Sequence, residues 1–277
     1  MPGRSEVRKE LYDISLEKNW GKNAIFAGLS ERLSVVMLEL PTILILTAVG
    51  FVAGLLSGSV GFGGGMILLP VLTTFYGVEV AVPVSTIAQM LSNLSKMGLG
   101  FGNIEWKQAG RFLILAAPLT ALGAFGFAVV PKVPMTRILC VFLTVFAIMK
   151  IMGKMTLPKK PATMIVGGGI TGLINGLLGI SGPLSSAVFL TLGLTPVAYI
   201  ASEATAATAM HLIKIIMYGK LDLMNGEIFI CGLLIGAAMM LANFVAIRMI
   251  HNINKKLYQR IVAAVMIAAS VWLFFSV

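Results

Sequence analysis

The chain has 277 residues, 58% of them hydrophobic and only 12% charged, with a mean hydropathy of +0.95. A water-soluble domain carries about 25% charged residues on its surface, so this composition excludes a soluble globular fold and indicates an all-α integral membrane protein. The net charge of +10 sits in short loops between apolar runs, as cytoplasmic loops do, so it reports topology and no nucleic-acid partner.

The first segment, 1–40, is a tail. Its first 32 residues mix six basic and five acidic side chains with Leu11, Ile14, Trp20, Ile25, Phe26 and Leu29. That pattern fits a surface amphipathic helix or a disordered stretch, and it lacks the basic start and apolar core of a signal peptide. Beyond it no charge occurs from Leu40 to Val78, Val80 to Ser95, Phe112 to Pro131, Pro161 to Ser202, Ile228 to Ile247, or Ile261 to Val277. At about 20 apolar residues per crossing, these runs leave room for roughly eight to ten segments in contact with the bilayer.

Shifting the sequence by 118 residues aligns it with itself. Gly54, Gly58, Gly61 and Gly64 fall on Gly172, Gly176, Gly179 and Gly182, and Lys96 falls on Lys214. Two transmembrane repeats, 41–157 and 158–277, follow from that register and form one transport domain. Each reads as five segments with a glycine-rich helix break and a half-helix. They run near 42–58, 66–76, 80–101, 109–130 and 135–155 in the first repeat. In the second they run near 162–178, 184–194, 197–218, 227–249 and 258–276. The second segment of each set, of about 11 residues, is too short to cross at about 1.5 Å per residue. Five crossings per half invert the second repeat and place both basic loops, 150–160 and 248–260, on the cytoplasmic side. Counting each broken pair as one crossing instead keeps the tail inside and exports the 248–260 loop. The inverted arrangement is the expected one, since acidic residues dilute the tail and none dilutes the two loops. Cys140 and Cys231 fall in apolar runs and read as buried free thiols.

The breaks are Gly58-Ser59-Val60-Gly61-Phe62-Gly63-Gly64-Gly65 and Asn175-Gly176-Leu177-Leu178-Gly179-Ile180-Ser181-Gly182-Pro183. Irregular backbone at membrane depth survives only where protein buries it or a watery cavity meets it. A helix starting there aims free N–H groups and a positive dipole end inward, which suits an anion. Close helix packing is the competing explanation for the same glycines. The run Gly61 to Gly65 is no dinucleotide fingerprint, since it follows no strand.

The third segments carry the densest polar positions. At 100° per residue, Ser85, Gln89, Ser92, Asn93 and Lys96 share one stripe about 100° wide, and Glu203, Met210, His211 and Lys214 lie on the matching stripe. Ionisable groups inside a span usually face a cavity, although lysines near helix ends can snorkel. The predicted anion site therefore comprises Gly61, Gly63, Gly64, Ser85, Gln89, Asn93, Lys96, Gly179, Ser181, Gly182, His211 and Lys214. Glu203 and His211 are the candidates for proton coupling, and no metal or cofactor is implied.

With these motifs the chain resembles the sulfite exporter TauE/SafE family. The residues that carry the resemblance are Gly54-Leu55-Leu56-Ser57-Gly58-Ser59-Val60-Gly61-Phe62-Gly63-Gly64-Gly65, Pro70, the segment holding Ser85, and the second glycine motif at 172–182. The resemblance implies a multi-pass cell-membrane protein, in a bacterial inner membrane, that exports sulfite, organosulfonates or related anions by alternating access. The residues themselves argue only for an anion, and a passive anion channel would use the same site. Gly179-Ile180-Ser181-Gly182 also spells the GxSG of rhomboid-like intramembrane serine proteases, with His211 as a possible base. The first repeat, however, has Gly63 where that serine would stand. Expected partners are a small anionic substrate and the lipid bilayer; the oligomeric state is not legible.

Overall fold

The computed structural model describes residues 40–61, 64–151, 158 and 160–249. The tail before Leu40, the expected fifth segment of the second repeat (258–276) and the basic loop beyond Met249 lie outside the described residues. Eight α-helices occur among them, with no strand: α1 Leu40–Val60, α2 Gly64–Leu99, α3 Trp106–Val129, α4 Lys132–Ile151, α5 Pro161–Leu178, α6 Gly182–Leu190, α7 Pro196–Lys220 and α8 Gly226–Met249. A single 3-10 turn, Phe101–Asn103, leads into α3. From Leu44 onward these helices form one compact unit, while the first residues of α1 belong to the unit Met1–Ile43. Helices α1, α2, α3, α5, α7 and α8 are long and apolar enough to cross a membrane, as in a multi-pass membrane protein.

The two expected segments 66–76 and 80–101 are the two helical arms of α2, which meet at a kink broken by Gly77. Gly77 takes φ 73 and ψ 163, a non-helical conformation open to glycine, so the chain leaves the helix there and resumes it beyond the kink. The second copy has a longer break at the corresponding place. Helix α6 has 9 residues, roughly 13 Å, and ends at Leu190, four short of the expected boundary. A turn through Gly193 (φ 66) follows. Thr195 then caps α7, its hydroxyl accepting from the Ala198 N–H, with Pro196 in the first turn.

Packing is inverted relative to a soluble protein. Large apolar side chains such as Leu44, Ile114, Leu122, Phe125 and Leu241 face outward, whereas Lys96, Glu203, His211 and Lys214 are buried. Glycine sets the helix spacing. An added Cβ on Gly168, Gly172 or Gly176 of α5 would lie 2.1, 2.3 or 2.4 Å from the carbonyl oxygens of Phe112, Ala116 and Thr120 on α3. Backbone therefore meets backbone along that crossing, the close approach small residues permit in membranes. On α1, Gly50, Gly54 and Gly58 meet α8 in the same way at Ile235, Met239 and Ala246. The packing explanation thus holds for Gly54, Gly58, Gly172 and Gly176. The third segments pack across as well: Gly232 and Gly236 of α8 sit against Ile87 and Ala88 of α2, and α7 packs on α3 beside Phe112 and Ala116.

Candidate functional site

Both breaks end in a glycine that reverses the sign of φ. Gly61 takes φ 86 and Gly179 takes φ 78, positions 118 residues apart. Each donates its N–H to a carbonyl four residues back, Gly61 to Ser57 and Gly179 to Asn175, both at 2.9 Å. This left-handed cap closes the incoming helix and satisfies a carbonyl that would otherwise be orphaned. The chain then restarts as helix at Gly64 and at Gly182. Ser181, the residue before α6, makes no side-chain capping bond.

Where the restarts meet α2 and α7, a small cavity opens. Its polar lining comes from Ser57, Gln89, Ser92, Asn93, Lys96, Ser181 and Glu203, with Gly61, Gly64, Gly65 and Gly182 supplying backbone. Met66, Ile180 and Met239 complete the wall. The volume open to the centre of a water molecule is about 20 Å³, enough for one water-sized group.

Lys96 dominates the cavity. Its Nζ donates to Ser57 Oγ at 2.8 Å and to the Gly61 carbonyl at 3.4 Å, so the ammonium is held against the first break. Its residual exposure is 2%, and that of Lys214 is 0%, which rules out snorkelling of either lysine. Gln89 Nε2 donates to the Gly179 carbonyl at 3.4 Å, tying α2 to the second break. Asn243 on α8 braces the same face of α2, donating to Ser92 and to Ser95 Oγ.

Glu203 faces Lys96 across the cavity, and the two charges interact electrostatically. One carboxylate oxygen accepts from Ser185 Oγ on α6; the other has no hydrogen-bond partner among the described residues. The site thus offers one cation, two helix starts and a set of neutral donors, opposed by one carboxylate. An anion gains charge-assisted bonds there, most fully when the carboxylate carries a proton.

Not every predicted residue joins this cavity. Gly61, Gly64, Gln89, Asn93, Lys96, Ser181, Gly182 and Glu203 do. Gly63 lies outside the described residues. Ser85 does not line it, because its hydroxyl is turned back to the Val82 carbonyl at 3.1 Å. Gly179 acts through its carbonyl on Gln89. His211 and Lys214 are buried but absent from the lining, because their stretch of α7 runs on past the cavity beyond Glu203. The sequence reading passed over Ser57, Gly65, Met66, Ser92, Ile180 and Met239. Ser57 stands inside the quoted glycine motif and Ser92 on the polar stripe, so both were within reach; Met239 comes from a distant helix with no local signal.

The rhomboid-like reading finds no geometry. Ser181 lines the cavity without His211, and neither ring nitrogen of His211 has a hydrogen-bond partner among the described residues. A serine nucleophile needs its base within hydrogen-bond reach.

Residues 46–273 match the model of the family described as Sulfite exporter TauE/SafE. No curated protein and no solved structure matches the chain.

Proposed function

This chain belongs to the sulfite exporter TauE/SafE family, and from that premise we propose that it exports a small sulfur-containing oxyanion, sulfite or a compact organosulfonate, by alternating access around the Lys96 cavity. The observation that carries the reading is the meeting of a buried ammonium with two helix restarts and five neutral polar side chains in one enclosed space. Each element suits an oxyanion: the charge supplies attraction, and the backbone and amide N–H groups supply directed donors. The tight volume favours sulfite over a sulfonate with a large organic group, because the larger guest requires more opening. Enclosure of Lys96 supports a carrier over an open pore.

Glu203 supplies the coupling. Ionised, it offsets the Lys96 charge and repels an arriving anion; protonated, it leaves that charge to the anion and adds a donor. Besides Lys96, its polar surroundings are Ser185 on α6 and Tyr199 one turn earlier on its own helix. Anion and proton therefore enter together. We read the two repeats as inverted, with Lys96 and Lys214 related by a pseudo-two-fold axis in the membrane plane, a frame that suits alternating access. The repeated glycine caps and the reciprocal packing of α1 on α8 and α5 on α3 support that arrangement.

Purified protein in proteoliposomes preloaded with unlabelled sulfite should accumulate labelled sulfite transiently by counterflow. Sulfonates should compete and carboxylates should compete poorly. Equilibration without overshoot would favour a passive channel, and no flux of any sulfur oxyanion would refute the reading.

A further inference from the structure

The residues that hold the Lys96 cavity have partners one register away. Ser57, Asn93 and Lys96 correspond to Asn175, His211 and Lys214, each 118 residues later. The local backbone is repeated too, since Gly179 caps its helix on the Asn175 carbonyl as Gly61 does on Ser57. The side chains behave differently. In the first copy the lysine finds Ser57 at 2.8 Å. In the second, Lys214 Nζ, both ring nitrogens of His211 and both polar atoms of the Asn175 side chain are buried without a hydrogen-bond partner among the described residues. All three residues are 0% exposed.

These five atoms are half of the ten buried side-chain polar atoms without a partner among the described residues, and they fall on three register-matched residues, although buried polar groups in folded proteins are nearly always paired. Lys214 is held in place by Tyr218, whose ring centroid lies 5.6 Å from Nζ. The Tyr218 hydroxyl in turn donates at 3.1 Å to the Gly176 carbonyl, next to Asn175, which fastens this part of α7 to α5. The position matching Glu203 is Ser85, whose hydroxyl is committed to the Val82 carbonyl. His211 interacts electrostatically with Lys214 and with Lys96, and among the described residues no acidic neighbour acts on either His211 or Lys214. The cluster therefore offers an ammonium, an imidazole and an amide with no carboxylate against them.

We propose that Lys214, His211 and Asn175 form a second anion-binding site, which takes a small inorganic oxyanion of the same class as the Lys96 cavity. The identity of the ligand rests on the transport reading above; the existence of the site rests on the register and the unpaired donors. Lacking an acid, the second site binds its anion without a proton on a neighbouring carboxylate.

Equilibrium binding of labelled sulfite to the purified full-length protein tests this by stoichiometry. Wild type should bind two equivalents per chain, Lys96→Gln one, and Lys214→Gln one. Asn175→Asp, nearly the same shape, should also bind one, because it brings a repelling charge to the second site alone. Lys96→Gln combined with Asn175→Asp should bind none. Monodispersity on size exclusion and an unchanged melting temperature check the fold of each variant. The proposal is overturned if Lys214→Gln and Asn175→Asp both keep the wild-type stoichiometry. It is equally overturned if wild type binds a single equivalent that Lys96→Gln removes. Should Lys96→Gln leave the stoichiometry untouched while the other two variants lower it, the second site stands and the Lys96 cavity loses its assigned role.

Discussion

Gly172→Ala puts one methyl group where α5 meets α3. The new Cβ would lie 2.3 Å from the Ala116 carbonyl oxygen and 2.8 Å from its Cα. Both are backbone atoms, so no rotamer change relieves the clash. Restoring ordinary contact of about 3.4 Å requires the helices to part by roughly 1 Å, and a gap of that size forfeits a quarter to a half of each dispersion contact across it. Gly168 and Gly176 lie one turn to either side at the same close range, so the loosening spreads along the crossing. Overpacking of this kind costs about 1–3 kcal/mol, and the spread places it near the upper end. Replacing a helical glycine by alanine returns up to about 1 kcal/mol of propensity, which leaves a net loss of roughly 2 kcal/mol. Gly110 on α3 is the control, since an added Cβ there meets nothing within 4 Å. Gly110→Ala should be neutral or stabilising by up to about 1 kcal/mol. Thermal unfolding of the detergent-purified variants should separate the pair, with Gly172→Ala melting roughly 4–8 °C below wild type and Gly110→Ala at or above it. Equal melting of the two would mean that α3 and α5 do not touch at backbone distance.

Gly65→Ala should behave in the opposite way, because its Cβ meets the Gln89 side-chain amide, a flexible group that can move. Moving it breaks the long bond to the Gly179 carbonyl, so sulfite binding should weaken about 2- to 10-fold with little change in melting, read by titration. For Glu203→Gln the readout is a pH profile of methanesulfonate transport, a probe that stays monoanionic. Wild type should gain activity as falling pH protonates Glu203, and the variant should be flat; an unchanged profile would remove Glu203 from coupling. Single cysteines at Lys159 and Lys256 should both label from the cytoplasmic side if the repeats are inverted, and labelling from opposite sides would sink that arrangement.

The helix order, the breaks and the polar face of α2 were legible because they rest on local signals: charge-free runs, glycine spacing and a 100° period. The charge of Lys96 was legible, but its partner Ser57 lies 39 residues away and is fixed only by the fold. Periodicity places side chains on a face of their own helix and says nothing about what that face meets. For that reason the stripe of α7 looked like one site with that of α2, whereas Glu203 reaches the cavity and His211 and Lys214 do not. The glycine repeat likewise mixed two roles. Gly54, Gly58, Gly172 and Gly176 set helix spacing, while Gly61 and Gly179 turn the chain, a difference visible only in φ and in what a Cβ would strike. The break expected between 76 and 80 falls at Gly77, a non-helical residue at which the two arms of α2 meet.

The central claim is that the Lys96 ammonium binds the transported anion. Lys96→Gln keeps most of the side-chain volume and removes the charge, and the initial rate of labelled sulfite uptake into proteoliposomes, at subsaturating sulfite and two salt concentrations, reads the effect. A charge-assisted bond of about 1.5–3 kcal/mol corresponds to a loss of roughly 10- to 100-fold. Arg111→Gln and Lys220→Gln, on the outer parts of α3 and α7, should change the rate far less, and that small change should shrink further at high salt. Equal, small, salt-sensitive losses in all three variants would contradict the account and place the anion elsewhere.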